Sequence, residues 1–163
     1  MKIKKIFSIK EELIKDVSNV ALLIQSENSI SIHIRRGDYT NAAMLEYHGV
    51  QGIEYYNQAI SFIKEKIANP KFYVFSDNIN WVQENLNLNE EAHLITVDES
   101  PTSITDFYLM RCCKHNIIAN STFSWWAAYL NPNPDKIIIA PKRWFNKANF
   151  NTKDLIPSSW IQL

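Results

Sequence analysis

The sequence predicts an α/β fold built on a parallel sheet with helices on both faces. Three observations carry this. Five short apolar runs alternate with four segments of helical periodicity. The chain has 163 residues, 46% of them hydrophobic, enough for one domain with a proper core over residues 1–163. Polar, chemistry-bearing residues gather just past the apolar runs, where open α/β sheets bind ligands.

Each element has its own signal. Ser8-Ile9-Lys10-Glu11 reads as a capping box. Behind it, Ile9, Leu13, Val17, Val20 and Ile24 recur at helical spacing. Residues 30–34 form the first strand, in which Ile30, Ile32 and Ile34 alternate with small or polar residues. Ile53, Tyr56, Ile60, Ile63 and Ile67 lie on one face of a helix that Pro70 closes. Phe72 to Phe75 is a strand, the stretch with Trp81, Val82 and Leu86 a helix, and His93 to Val97 a strand. Ile104 to Lys114 is helical, Asn116 to Ala119 a strand, and Thr122 to Leu130 an aromatic helix. Asn131-Pro132-Asn133-Pro134 breaks that helix, and Ile137 to Ala140 is the last buried strand. The tail with Trp144, Pro157 and Trp160 packs back onto the domain.

Composition removes several function classes. Seventeen basic and seventeen acidic residues cancel, so no global field recruits nucleic acid or an anionic membrane, and any anion grip is local. No apolar run reaches transmembrane length, and the first residues lack the pattern of a signal peptide. A glycine-rich phosphate loop, a dinucleotide glycine fingerprint and an Asp-x-Asp metal pair are all missing from the sequence. The four histidines lack metal-ligand spacing, so no metal site is expected. Adjacent Cys112 and Cys113 suit two free thiols in a reducing compartment better than a strained disulfide. Thiol catalysis by a cysteine with His33 or His115 has only composition behind it. Asn120-Ser121-Thr122 fits a glycosylation sequon, a triplet that arises easily by chance.

Three strand ends are candidates for chemistry. The first carries His33, Arg35, Arg36 and Asp38. Paired guanidiniums can grip a diphosphate bidentately, although the same residues could form a solvated turn with Asp38 as counter-charge. The second is Ser76-Asp77, where Asp77 either caps the next helix or accepts from a guanine's N–H groups. The third, Asn120-Ser121-Thr122-Phe123-Ser124, is a hydroxyl-rich turn into a helix, able to cap it and bind phosphate at once. Trp125 and Trp126 read as core rather than as a sugar platform.

Together these motifs resemble a known family. His33-Ile34-Arg35-Arg36-Gly37-Asp38-Tyr39 resembles the His-x-Arg-Arg-x-Asp signature of α1,2- and α1,6-fucosyltransferases. Phe75-Ser76-Asp77 and the run from Cys113 through Asn120-Ser121-Thr122-Phe123-Ser124-Trp125-Trp126 resemble family 11 glycosyltransferases, the galactoside α1,2-fucosyltransferases. The likeness extends from about residue 9 to the end, through Pro141-Lys142-Arg143-Trp144-Phe145 and Ile156-Pro157-Ser158-Ser159-Trp160.

The resemblance implies a Rossmann-like domain, like the C-terminal half of a two-domain GT-B enzyme. That enzyme would be inverting and metal-independent, with GDP-fucose as donor, a terminal galactose of a glycan as acceptor and no further cofactor. By position, Arg35 would hold the β-phosphate and stabilise departing GDP, and Arg36 would assist or brace the loop. His33 and Asp77 would address the guanosine, and Ser121, Thr122, Phe123 and Ser124 would offer hydroxyl and backbone donors to the diphosphate. The acceptor's base would come from Asp38, Glu46 or His48, with Asp38 equally suited to pairing with Arg36. A cytoplasmic enzyme, or one held peripherally at the inner face of a membrane, is expected. Two departures stand out. The chain has Trp125-Trp126-Ala127-Ala128-Tyr129 where the family commonly reads Trp-Trp-Gly-Ala-Trp, and it has roughly half the family's length, lacking the N-terminal acceptor domain. The alternative is therefore a GDP-sugar-binding fragment that needs a missing domain or partner chain. An RNA-binding reading would require a charge excess that is absent.

Overall fold

Every residue of strand β1 (Ser29–Ile34) is buried, so the strand can only lie inside the sheet with both faces covered. The computed structural model describes residues 7–37, 42–86, 91–95, 99–147 and 151–163. The other strands are β2 (Lys71–Ser76), β3 (Ala92–Leu94), β4 (His115–Ile117), β5 (Ile138–Ala140) and β6 (Ile161–Gln162). They form one parallel sheet in the order β3-β2-β1-β4-β5-β6. The chain thus steps outward from β1 to β3, then crosses back to place β4 on the other side of β1. Such a reversal opens a crevice between the carboxyl ends of the two strands that flank it.

Helix α1 (Ser18–Ser26) precedes β1, and α2 (Ala42–Tyr47) and α3 (Ile53–Lys66) follow it. Next come α4 (Ile79–Asn85), α5 (Ser103–Cys112) and α6 (Thr122–Leu130). On one face of the sheet, Ile30, Ile32 and Ile34 pack with Tyr55, Tyr56, Ala59, Ile60 and Ile63 of α3 and Val82 of α4. On the other, Tyr73 and Phe75 meet Val17, Ala21 and Ile24, together with Leu109 and Met110 of α5 and Ala127 of α6. Helices therefore cover both faces, as the sequence predicts. Ala127, at the family's glycine position, is buried while α6 runs unbroken around it.

That second face also holds a polar network. Asn116 Nδ2 donates to Ser31 Oγ at 2.7 Å and to the Met110 carbonyl at 2.8 Å. Asn116 Oδ1 accepts from Asn131 Nδ2, which also donates to the Cys113 carbonyl at 2.7 Å. Ser31, buried within the sheet, is thus satisfied, as buried polar groups must be.

Several boundaries differ from expectation. Ser8 is exposed and caps nothing. Two short 3-10 turns, Glu11–Leu13 and Lys15–Val17, precede α1, with Lys10 at the N-cap position of the first. Leu13 is 46% exposed, so no burial holds those residues in a continuous α-helix. Helix α2 and strand β6 were not foreseen. β6 brings the tail home: Ile161 pairs with Ile139, Gln162 with Ala140, and Trp160 is buried beneath them. Cys112 and Cys113 are free thiols, as expected.

Two asparagines join the segments that follow β1, β4 and β5. Asn120 Nδ2 lies 3.0, 3.2 and 3.1 Å from the carbonyls of His48, Gly49 and Trp144. Asn146 donates its backbone N–H to Tyr47 O and its amide to Leu45 O. Gly49 has φ +69°, and a Cβ there would fall 2.5 Å from the Asn146 side chain, so glycine serves both the turn and the approach.

Candidate active site

Strand register decides what meets at the crevice. β1 and β2 run in step, with His33 opposite Phe75 and Ile34 opposite Ser76, so Arg35 and Asp77 leave the sheet side by side. Arg35 Nη1 sits 3.0 Å from Asp77 Oδ2, and Asp77 Oδ1 accepts the Arg36 backbone N–H at 2.8 Å. Asp77 is therefore not the cap of α4. That place belongs to Asn78, whose Oδ1 accepts the Trp81 N–H at 3.0 Å, while Ser76 Oγ accepts the Asn78 N–H.

The adjacent arginines part company. Arg35 lines a cleft of about 580 Å3, together with His33, Ser76, Asp77, Ser121, Thr122 and Phe123. Arg36 is outside that lining: its guanidinium lies over the Trp81 ring, 4.2 Å from the centroid, and Nη1 is 3.5 Å from the Gln51 carbonyl. Guanidinium stacked on indole is attractive and fixes the side chain.

Helix α6 begins at the same rim. Its N-cap, Ser121, is buried and makes no side-chain cap bond. The first-turn N–H groups and the positive end of the helix dipole therefore face the cleft without a capping side chain, an arrangement suited to an anion. Thr122 is exposed at this mouth and Phe123 packs on the His33 ring at 5.5 Å. Ser124 is not brought to the cleft. It is buried, and its hydroxyl bonds the Ser121 carbonyl at 3.2 Å within its own helix.

His33 is 6% exposed, and its Nδ1 has no hydrogen-bond partner among the described residues. Burial drives its pKa down to about 4, with Asp77 pulling upward and Arg35 adding to the depression. In the folded protein His33 is thus neutral from about pH 4 upward, whereas an unfolded histidine takes a proton below about 6.5. The unfolded state binds more protons in that window, so stability falls as pH drops through it and levels off below pH 4. Urea unfolding should show wild type losing about 3 kcal/mol more than His33→Gln between pH 7 and 4.

The sequence reading overlooked the fourth wall. Ser100, Pro101, Thr102, Ser103 and Asp106 line the cleft from the loop after β3 and the start of α5. Thr102 and Thr105 cap α5 reciprocally. The Asp106 carboxyl is raised by burial, against a lowering hydrogen bond from Ser100. This loop also follows a strand's carboxyl end, so applying the strand-end rule to β3 would have found it.

Two of the candidates for a base, Glu46 and His48, are not among the residues that line the cleft. Glu46 is exposed, 3.5 Å from Lys147 Nζ, and His48 packs on Tyr47 and Phe145. Asp38 lies outside the described residues. Trp125 is half-buried, stacked on Tyr129, with Nε1 donating to Leu155 O, whereas Trp126 is 38% exposed against Phe7. Among the described residues, no group of three or more His, Cys, Asp or Glu side chains is arranged to hold a metal ion. Likewise, no described helix is long and apolar enough to cross a membrane.

A second cavity, about 640 Å3, opens near Cys113, Lys114 and Asn133, at the amino ends of β4 and β5. Its cations are engaged within the fold: Arg111 Nε donates to Leu130 O, and Lys114 Nζ to Asn28 Oδ1. The smaller cleft, with Arg35 and the α6 terminus, is the better anion site.

The chain is similar to known proteins along most of its length. The chain is 37% identical over 163 residues to the O-antigen biosynthesis glycosyltransferase WbnK of Escherichia coli, a match covering 97% of this chain and 53% of that protein. It is 38% identical over 150 residues to the alpha-1,2-colitosyltransferase of Escherichia coli, covering 91% and 52%. The human galactoside alpha-(1,2)-fucosyltransferase 1 is 33% identical over 103 residues, covering 62% and 28%. The chain spans about half the length of the curated bacterial relatives it matches. The model of the family described as glycosyl transferase family 11 matches residues 2–163, so the strand-end arginine and the uncapped helix sit within one continuous family match, and the chain belongs to glycosyl transferase family 11.

Proposed function

We propose that this domain binds the donor diphosphate of an inverting, metal-independent α1,2-fucosyltransferase, which moves L-fucose from GDP-fucose to the 2-hydroxyl of a terminal galactose. One observation carries the reading: Arg35, fixed by Asp77, faces the uncapped N-terminus of α6 across the crevice at the strand reversal. A diphosphate seated there meets a guanidinium on one side and backbone N–H groups on the other. As the sugar–phosphate bond breaks, charge collects on the β-phosphate, and donors already in place stabilise it without reorganising. Neutral His33 offers a nitrogen to the nucleoside end of the donor. In this reading the acceptor glycan approaches the open side of the cleft, and much of its site comes from a second domain of GT-B type.

A second donor is supported by the relative named as a colitosyltransferase, which is 38% identical over 150 residues. GDP-colitose would use the same diphosphate grip. The test is GDP release from GDP-fucose and from GDP-colitose with lactose as acceptor, beside calorimetric GDP binding. Release above buffer hydrolysis with one donor is expected. GDP binding without release means that this chain is the binding half and needs its other domain. Failure to bind GDP overturns the proposal.

A further inference from the structure

The two oxygens of Asp77 are both engaged inside the protein, Oδ2 by Arg35 and Oδ1 by the Arg36 N–H. A third neighbour is Gly37. A Cβ built there would lie 2.6 Å from Asp77 Oδ2 and 3.2 Å from its Cγ. Gly37 has no positive φ, so its backbone would accept alanine, and the obstacle is the carboxylate alone. We infer that Asp77 is a positioning residue for the donor reaction, holding the Arg35 guanidinium and the Arg36 peptide in place, and that Gly37 is glycine to leave room for that carboxylate. The inference rests on the diphosphate reading of Arg35.

The physical consequence is preorganisation. A long arginine side chain in a half-open cleft loses rotamer freedom when it grips a ligand. The Asp77 carboxylate takes that cost at folding. Bonding the neighbouring peptide with the other oxygen ties the carboxylate to the backbone that carries Arg35, so the pair moves as a unit. Arg36, stacked on Trp81, anchors the far side of that same peptide. Gly37→Ala should therefore act at a distance: its methyl touches no substrate, yet it turns the carboxylate away from Arg35.

Two measurements test this on the whole chain. In 15N-arginine spectra without ligand, Arg35, assigned through Arg35→Lys, should show restricted guanidinium rotation in wild type. Asp77→Asn and Gly37→Ala should each release it without lowering the melting temperature by more than a few degrees. Arg35 signals unchanged in both variants overturn the inference. In calorimetry each single variant should bind GDP about tenfold more weakly, and the double variant no more weakly than Asp77→Asn alone. Multiplicative losses, about 100-fold in the double variant, would mean that Gly37 acts independently of Asp77 and would overturn it too. If wild type binds no GDP, the diphosphate reading fails, and the nitrogen spectra alone decide the positioning role.

Discussion

Arg35→Ala should weaken GDP binding about 100-fold and abolish any donor-dependent GDP release, while the melting temperature stays within about 3 °C of wild type. The loss has two parts. The first is the charge-assisted hydrogen bonding to the diphosphate, about 1.5–3 kcal/mol. The second comes from Asp77, which would be left without its partner beside the incoming phosphates and would repel them. Stability changes little because the pair is partly open to water, with 35% and 24% of the two side chains exposed, and such pairs contribute at most about 1 kcal/mol. Arg35→Lys separates charge from shape: it keeps the cation but loses the planar fork, so about a tenfold loss is expected. Titration calorimetry reads both variants. Equal affinity in wild type and Arg35→Ala would remove Arg35 from the site.

Asn116→Ala has the opposite profile, harming the fold rather than the cleft. The change removes three buried hydrogen bonds at once, to Ser31 Oγ, the Met110 carbonyl and Asn131 Nδ2. It also leaves those groups buried without water, and each unsatisfied group costs about 1–3 kcal/mol. A destabilisation of about 4 kcal/mol is expected, seen as a fall in melting temperature of about 10 °C or more. The effect should exceed that of trimming an apolar neighbour of like size, because Asn131 also bonds the Cys113 carbonyl and accepts the Asn133 N–H. A loss below about 1 kcal/mol would show that the network relaxes around the gap.

These residues differ in how visible they were. The sheet and its helices were legible because burial on both faces writes itself into sequence as apolar runs between helical periods, and Ile30 to Ile34 is the clearest instance. Strand β6 was not, since two residues carry no period, and Ile161 and Gln162 become a strand only through β5. The capping box at Ser8 misled because a cap needs a helix that tertiary packing holds, and Leu13 packs on little. At the site, Arg35 was legible as a residue leaving a buried strand. The division of labour between Arg35 and Arg36 came only from the family resemblance, because Trp81 and Asp77 reach them from another strand and helix. A cap was one of the two readings of Asp77, and only the geometry of α4 gave that place to Asn78.

Asn120 has a bearing on how the protein can be made. Its amide nitrogen faces three main-chain carbonyls, and the residue is 1% exposed, so no enzyme could reach it in the folded molecule. Yet it heads an Asn-Ser-Thr triplet, which a secretory host modifies on the nascent chain, before burial protects it. A glycan attached then would occupy the nitrogen that joins the loops around His48 and Trp144, and the chain could not close over it. Bacterial cytoplasmic expression avoids that competition between glycosylation and folding.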